Sequence, residues 1–233
     1  IKRPDGTRNY LADQNTPAHL NYNGRIGIEI RGSSTQALPK KQYSLTTLKA
    51  NNIDNNNVSI FGMPSENDWI LNGLGFDPSL IRDYLAYYMS RQLGNYASNT
   101  QFCEVVINGD YKGLYVFQEK IKSSDFRVNV LKIKATDNTF PNITGGYITK
   151  ADKTTGGDPI AFVMGETNFV HDLPKPENAT PEQTTYIKDE FKRMEDQAYE
   201  DDLEFGYWTI IDVPSFIDFM LVNELASNAD VYQ

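Results

Sequence analysis

The chain reads as an α+β protein: a β-rich N-terminal part with one main helix, followed by a mainly helical C-terminal part. Three observations predict this. Residues 25–31 alternate, with Ile26, Ile28 and Ile30 on one side and Arg25, Glu29 and Arg31 on the other, the period of a strand with one buried face. Asn108-Gly109 lies between two strand-like apolar runs, and this dipeptide is what a positive-φ hairpin turn requires. The two strongest late helix starts, Thr180-Pro181-Glu182-Gln183 and Asp212-Val213-Pro214-Ser215, both fall in the C-terminal half. Strands gathered early and helices late give an α+β order rather than alternating βα units.

Residues 1–24, rich in Asn, Asp, Pro and Gly, read as an irregular lead-in ending at Asn23-Gly24. The alternating strand follows, with its isoleucine side expected to face the core, and Lys41 to Leu45 resume as a second strand. Asn51 to Asn57 is too polar to pack and reads as a surface loop, and Trp69, Ile70 and Leu71 form a short apolar anchor. Asp77-Pro78-Ser79 predicts a helix start with an N-cap carboxylate and proline at the first helical position. An apolar face runs from Leu80 to Leu93, and Gly94 stops the helix. Arg82 and Asp83 sit beside that face, where a solvated pair or a reach back to the Lys40/Lys41 strand are both open. Phe102–Ile107 and Gly113–Gln118 form the hairpin, joined through residues 108–112 and running into Glu119-Lys120-Ile121.

Further strands are expected at Val128–Lys134 and Gly146–Thr149, with Gly145-Gly146 marking a close approach or bulge. Residues 151–180 read as loops around one short strand at Ile160–Met164. The helix from Thr180 carries Tyr186, Ile187, Phe191 and Met194 at helical spacing, and the acidic run from Glu195 to Glu204 is a solvated face. The last helix, with Phe216, Ile217, Phe219, Met220, Leu221 and Leu225, is apolar around much of its circumference. That pattern predicts burial between other elements.

The bulk composition narrows the function. With 233 residues, 39% hydrophobic and 12% aromatic, the chain can bury a sizeable core. A net charge of -9 argues against general binding to nucleic acid or anionic membrane, while leaving room for a local basic pocket. The single cysteine, Cys103, lies in an apolar strand pattern and reads as buried and inert. The two histidines, His19 and His171, fall in Pro-containing loop sequence, which argues against a His-rich zinc site and against Ser-His-Asp chemistry. No run of 18 apolar residues is present. Ile1 is not a translation start, so an excised segment is expected. Asn142-Ile143-Thr144 and Asn178-Ala179-Thr180 fit the glycosylation triplet.

The stretch with the most chemical content is Arg31-Gly32-Ser33-Ser34-Thr35-Gln36-Ala37-Leu38-Pro39-Lys40-Lys41. A Gly/Ser/Thr loop flanked by cations in an acidic protein suits a phosphate or carboxylate group, and a polar hairpin loop with basic ends is the alternative. Basic strands around such a loop, a helix, a hairpin and a late helix ending near an isolated aspartate follow the order of parts in kinase-like phosphoryl-transfer enzymes. The chain has no G-x-G-x-x-G, V-A-I-K, H-R-D or D-F-G motif.

The run Arg31-Gly32-x-Ser34 leading to Pro39-Lys40-Lys41-x-Tyr43 resembles the CotH-type spore-coat kinase family. So do Asp77-Pro78-Ser79-Leu80-Ile81-Arg82, the hairpin Val105 to Tyr115 followed by Glu119-Lys120-Ile121, Gly145-Gly146-Tyr147, and the closing Asn223-Glu224-Leu225 with Asn228-x-Asp230. The resemblance covers residues 25–233. It implies an atypical protein-kinase-like fold that uses ATP and a divalent metal (Mg or Mn) to phosphorylate serine-rich segments of coat or exported proteins at the cell envelope or outside the cell. On it, residues 25–150 are the nucleotide lobe, and residues 151–233 are an insert and a partial helical lobe. Arg31, Gly32, Ser33 and Ser34 become the nucleotide loop, and Lys40 or Lys41 the phosphate-binding lysine. Glu119 falls near the adenine, with a sheet-edge salt bridge as its alternative. Asp230 becomes the catalytic aspartate, with Asn228 supporting its conformation. In the family the chain continues past Asn-x-Asp into a metal-binding segment, so with Gln233 last an incomplete fragment without metal ligands is expected. The competing readings are a non-enzymatic surface module or pseudokinase scaffold and, with less support, a glycan-processing domain using the acidic run at 195–204.

Overall fold

The computed structural model describes all residues except 153, 155, 156, 201, 203, 229, 230, 232 and 233. It divides into two units, Ile1–Tyr88 with Ser98–Lys120, and Met89–Ala97 with Ile121–Gln233. The first is built on five antiparallel strands: β1 (Arg25–Arg31), β2 (Gln42–Leu48), β3 (Asp68–Asn72), β4 (Thr100–Ile107) and β5 (Asp110–Glu119), in the spatial order β1-β2-β3-β5-β4. The α+β expectation holds.

The apolar anchor at residues 69–71 is the central strand β3. Its side chains are buried on both faces, which is why it reads as an unbroken apolar run with no visible alternation. One face carries Trp69, Leu71, Tyr115 and Phe117, closed over by Ile60 and Met63. Trp69 stacks on Phe117 at 5.1 Å, and Phe61 meets Phe117 edge-on at 5.4 Å. Burying each such side chain contributes about 1.5–3 kcal/mol. The other face meets the first turns of α1 (Arg82–Gln92), where Tyr84 stacks on Phe102 at 4.8 Å.

Three local expectations change. The hairpin is tighter than residues 108–112: Asn108 (φ 53) and Gly109 (φ 83) form a two-residue turn, and residues 110–112 belong to β5. Lys112 is the extra residue of a bulge opposite Val105/Val106, with Gly113 at φ 91 beside it. The helix begins at Arg82, not Pro78, because Leu80 adopts φ 63 and closes a turn on Asp77. Asp77 still caps it: one oxygen accepts from Ser79 and the other from the Arg82 N–H at 2.8 Å. At the far end Gly94 (φ 90) stops the helix as expected, with Asn95 N–H bonded to Ser90 O and Gly94 N–H to Arg91 O, a Schellman pair.

The third change is at β1. Alternation is present, but Ile26, Ile28 and Ile30 are 47%, 43% and 54% exposed, while Arg31 on the opposite face is half-buried. α1 covers the charged side at that end, and the cover over Trp69 and Phe117 does not extend to the edge strand. Before β1, the lead-in folds around Asp13, which is buried and takes Arg3 in a two-point pair (2.8 Å each) and the Tyr10 N–H at 2.8 Å.

The second unit has a three-stranded antiparallel sheet in the order β6-β8-β7, from β6 (Ile148–Ala151), β7 (Phe162–Met164) and β8 (Thr167–Leu173). Val128–Lys134 is not a strand; a single bridge joins Ser123 and Val128. That segment instead lies against Gly146, where a Cβ would overlap Leu131 O, so the expected close approach is real. β8 is an unforeseen strand, its alternation masked by Asn168, His171 and Asp172. His171 therefore sits in a strand, not a loop. It is buried, 3.0 Å from Thr149 Oγ1, and burial holds its pKa below the ordinary value.

α2 (Pro181–Tyr199) starts in the predicted capping box, with Gln183 N–H donating to Thr180 Oγ1 at 3.2 Å and Thr180 N–H to Gln183 Oε1 at 3.3 Å. The buried Gln183 amide also donates to Lys134 O at 2.7 Å and Asp137 O at 3.3 Å, tying the irregular 134–137 segment to the helix start. Phe191 packs on Phe169 at 4.8 Å and Phe162 at 5.7 Å. α3 (Val213–Ala226) departs from expectation: among its described side chains Val222 is buried, but Phe216, Phe219, Leu221 and Leu225 are more than half exposed. Burying an apolar helix on all sides needs neighbours on all sides, and the described residues supply a cover at Val222.

Candidate functional site

The loop between β1 and β2 is folded upon itself. Gly32 takes φ 98, and residues 34–37 form a 3-10 helix, with Gln36 N–H on Ser33 O (3.1 Å) and Leu38 N–H on Thr35 O (3.2 Å). The Gln36 amide reaches back to Gly32 O, and Lys41 Nζ donates to Gln36 O at 2.7 Å. A Cβ on Gly32 would overlap Thr35 Oγ1, a buried hydroxyl without a hydrogen-bond partner among the described residues. The glycine is thus required twice, for its backbone angle and for the space above Thr35. Ser33 and Ser34 stand on the exposed side of this loop.

The two lysines have different tasks. Lys41 braces the loop. Lys40 bonds Leu114 O and lies 4.7 Å from the centre of the Tyr115 ring, so it is fastened to the β4–β5 hairpin, and burial lowers its pKa. Tyr115 in turn donates its hydroxyl to Lys41 O at 2.9 Å. Both ammonium groups therefore stand on backbone carbonyls at the mouth of the loop.

Arg31 is placed on the α1 side of the sheet, where burial pulls its pKa down and the Tyr87 phenol lies within its field. The Tyr87 phenol is pushed up, first by burial and then by the charge of Asp83. Asp83 does not reach the Lys40/Lys41 strand; it accepts from Asn72 Nδ2 on β3 at 2.6 Å. This polar group of Arg31, Asn72, Asp83, Tyr87 and Gln118 under α1 was missed in sequence. The four-residue spacing of Asp83 and Tyr87 on one helix face was the available signal.

Glu119 is not part of the loop. The register sets it in the row Ile28–Leu45–Trp69–Glu119, with β3 between it and β2. Its side chain is 0% exposed. One oxygen accepts from Asn99 N–H (2.9 Å) and Asn99 Nδ2 (3.1 Å), while the other has no hydrogen-bond partner among the described residues. Its evident work is to hold the 98–99 segment to the end of β5. In the second unit Asn228 follows α3 in another Schellman pair, in which Ser227 has φ 50. Asn228 N–H bonds Asn223 O at 3.0 Å, and its side-chain amide bonds Asn223 Oδ1 at 2.8 Å. Asn223 is itself tied back to Phe219 O. The other catalytic candidate, Asp230, lies outside the described residues. Among the described residues no cluster of His, Cys, Asp or Glu could hold a metal ion.

A family model described as CotH kinase protein matches residues 28–233. The chain belongs to the CotH kinase family. The match begins inside β1, so the folded loop, the hairpin, Glu119 and the segment after α3 all fall within the family region. A kinase-like protein of this family uses a nucleotide and a metal in general terms and acts on a protein substrate. No helix of the described chain is long and apolar enough to cross a membrane. A comparison with curated proteins found no match.

Proposed function

We propose that this chain carries the nucleotide-holding part of an ATP-dependent protein serine kinase acting on coat or exported proteins at the cell envelope or outside the cell. The observation that carries the reading is the self-braced loop at residues 31–41, where a glycine with positive φ, two exposed serines and two lysines converge within the family region. Amide and hydroxyl donors of Gly32, Ser33 and Ser34 suit phosphate oxygens, and Lys40 or Lys41 supplies the fixed positive charge. In the transfer, the serine hydroxyl of the substrate attacks the terminal phosphorus, the bond to the ADP oxygen breaks, and the hydroxyl proton passes to Asp230. Asn228, anchored on Asn223 and two residues before Asp230 in sequence, takes the supporting role. Arg31 and Glu119 support this arrangement, Arg31 beneath α1 and Glu119 at the end of β5 where the adenine is expected. A divalent cation (Mg²⁺ or Mn²⁺) would neutralise phosphate charge. The described residues offer no cluster for it, so no step is assigned through it.

Titration calorimetry with ATP and each cation, and transfer of labelled phosphate to a serine-rich peptide, test the proposal. Saturable binding and transfer abolished by Asp230→Ala support it; transfer unchanged by Asp230→Ala refutes the assigned base. A scaffold without catalysis is the second reading. It is favoured by both lysines already being occupied by backbone carbonyls. Absence of nucleotide binding would decide for it.

A further inference from the structure

We propose that β1 is a homodimerisation edge, pairing antiparallel with β1 of a second copy about a two-fold axis at Gly27. β1 is the end strand of its sheet. Thr47 directs its N–H to Asn67 O (2.9 Å) and its carbonyl to Asn56 N (2.8 Å), so it makes no ladder bond with its partner Ile26. By the two-residue period of the antiparallel ladder, the N–H and C=O groups of Ile26, Ile28 and Ile30 all point to the open side. No described backbone bond engages them. The strand has no proline and runs through seven consecutive pairs with β2 without a bulge, so it lacks two common protections of a sheet edge. The three isoleucine side chains beside that edge are exposed.

Charge decides the occupant and the register. Of the symmetric alignments that keep the ladder in phase, three overlap at least five residues of the strand. Centring on Ile28 sets Arg25 against Arg31, and centring on Glu29 sets Glu29 against its own copy. Centring on Gly27 sets Arg25 of each copy against Glu29 of the other, and Ile26 against Ile28. The Glu29 side chain is exposed with no partner among the described residues, and the Arg25 guanidinium donates to the neutral side chain of Asn52 at 2.9 Å, with no carboxylate partner among them. Gly27 puts no side chain at the axis. Of these three, one alone is complementary in charge, as a two-fold interface requires.

The test is sedimentation velocity of the 233-residue chain over a wide concentration series, with amide exchange as a second readout. A concentration-dependent dimer is expected, with added protection at Ile26, Ile28 and Ile30. Because symmetry places the charge pair twice, Arg25→Glu or Glu29→Arg alone should weaken dimerisation at least about tenfold, and Arg25→Glu combined with Glu29→Arg should restore it. Both positions are exposed, so melting curves should match the parent. A monomer at every concentration overturns the proposal. So does a dimer indifferent to the single charge reversals, or one in which the double reversal fails to restore pairing.

Discussion

Replacing Gly32 by alanine probes the loop on which the functional proposal rests. At φ 98 an L-residue is strained, and this costs about 1–3 kcal/mol. The new Cβ would also overlap Thr35 Oγ1 and touch Thr35 Cβ at 3.4 Å. Turning the threonine off its rotamer adds about 0.5–1.5 kcal/mol. The sum, about 1.5–4.5 kcal/mol, is centred above the roughly 2 kcal/mol that the two backbone bonds of the 3-10 helix contribute, so the loop should open locally while the sheet stays intact. Amide exchange at Gln36 and Leu38 should accelerate by about 30-fold or more, and ATP affinity should fall in parallel. Adding Thr35→Ala removes the overlap but not the backbone strain, and should recover about tenfold or less. Wild-type exchange at both amides in Gly32→Ala would refute the loop geometry. Altered exchange with unchanged nucleotide affinity would refute only its role in binding.

Other outcomes follow from the same structure. Gln183→Ala removes bonds to Lys134 O, Asp137 O and Thr180 N from a fully buried site, and should lower stability by about 2–4 kcal/mol in urea unfolding; a loss below about 1 kcal/mol would contradict it. His171 is held below its ordinary value of 6.5 by burial, so the unfolded chain binds its proton first. The stability this residue contributes is complete above the unfolded value and declines as pH falls below it, and His171→Leu should flatten that slope in melting experiments. Asp13 is held well below its ordinary 3.8 by Arg3 and the Tyr10 N–H. Its contribution is complete above that value and is lost on further acidification, so the melting temperature of Asp13→Asn should be less acid-sensitive there. Burial pushes the Cys103 thiol up to about 11, so it should resist alkylation at neutral pH until the protein is unfolded.

The site was readable in part. The composition and cations of residues 31–41 marked a folded, charge-flanked loop. Spacing could not reveal that Lys41 bonds Gln36 while Lys40 turns to Leu114 and Tyr115, because the hairpin that receives Lys40 lies 74 residues away. Glu119 stood out as a carboxylate after an apolar strand, and a salt bridge was one expectation. Its partner is the neutral Asn99, met only when β5 runs alongside the segment before β4. Asp83 had two possible directions in sequence, and the placement of α1 over β3 chose Asn72.

What the chain encodes in adjacent residues survived unchanged: the Asn108-Gly109 turn, the Thr180 capping box, the Gly94 stop and the alternation of β1. Each depends on backbone angles and hydrogen bonds that a few neighbouring residues complete among themselves. Burial does not. Whether the isoleucine or the arginine side of β1 is covered, whether residues 69–71 lie at the centre of a sheet, and whether an apolar helix such as α3 finds neighbours on every side depend on which distant segments pack there. Those contacts are absent from any short window of sequence, so only the tertiary structure could decide them.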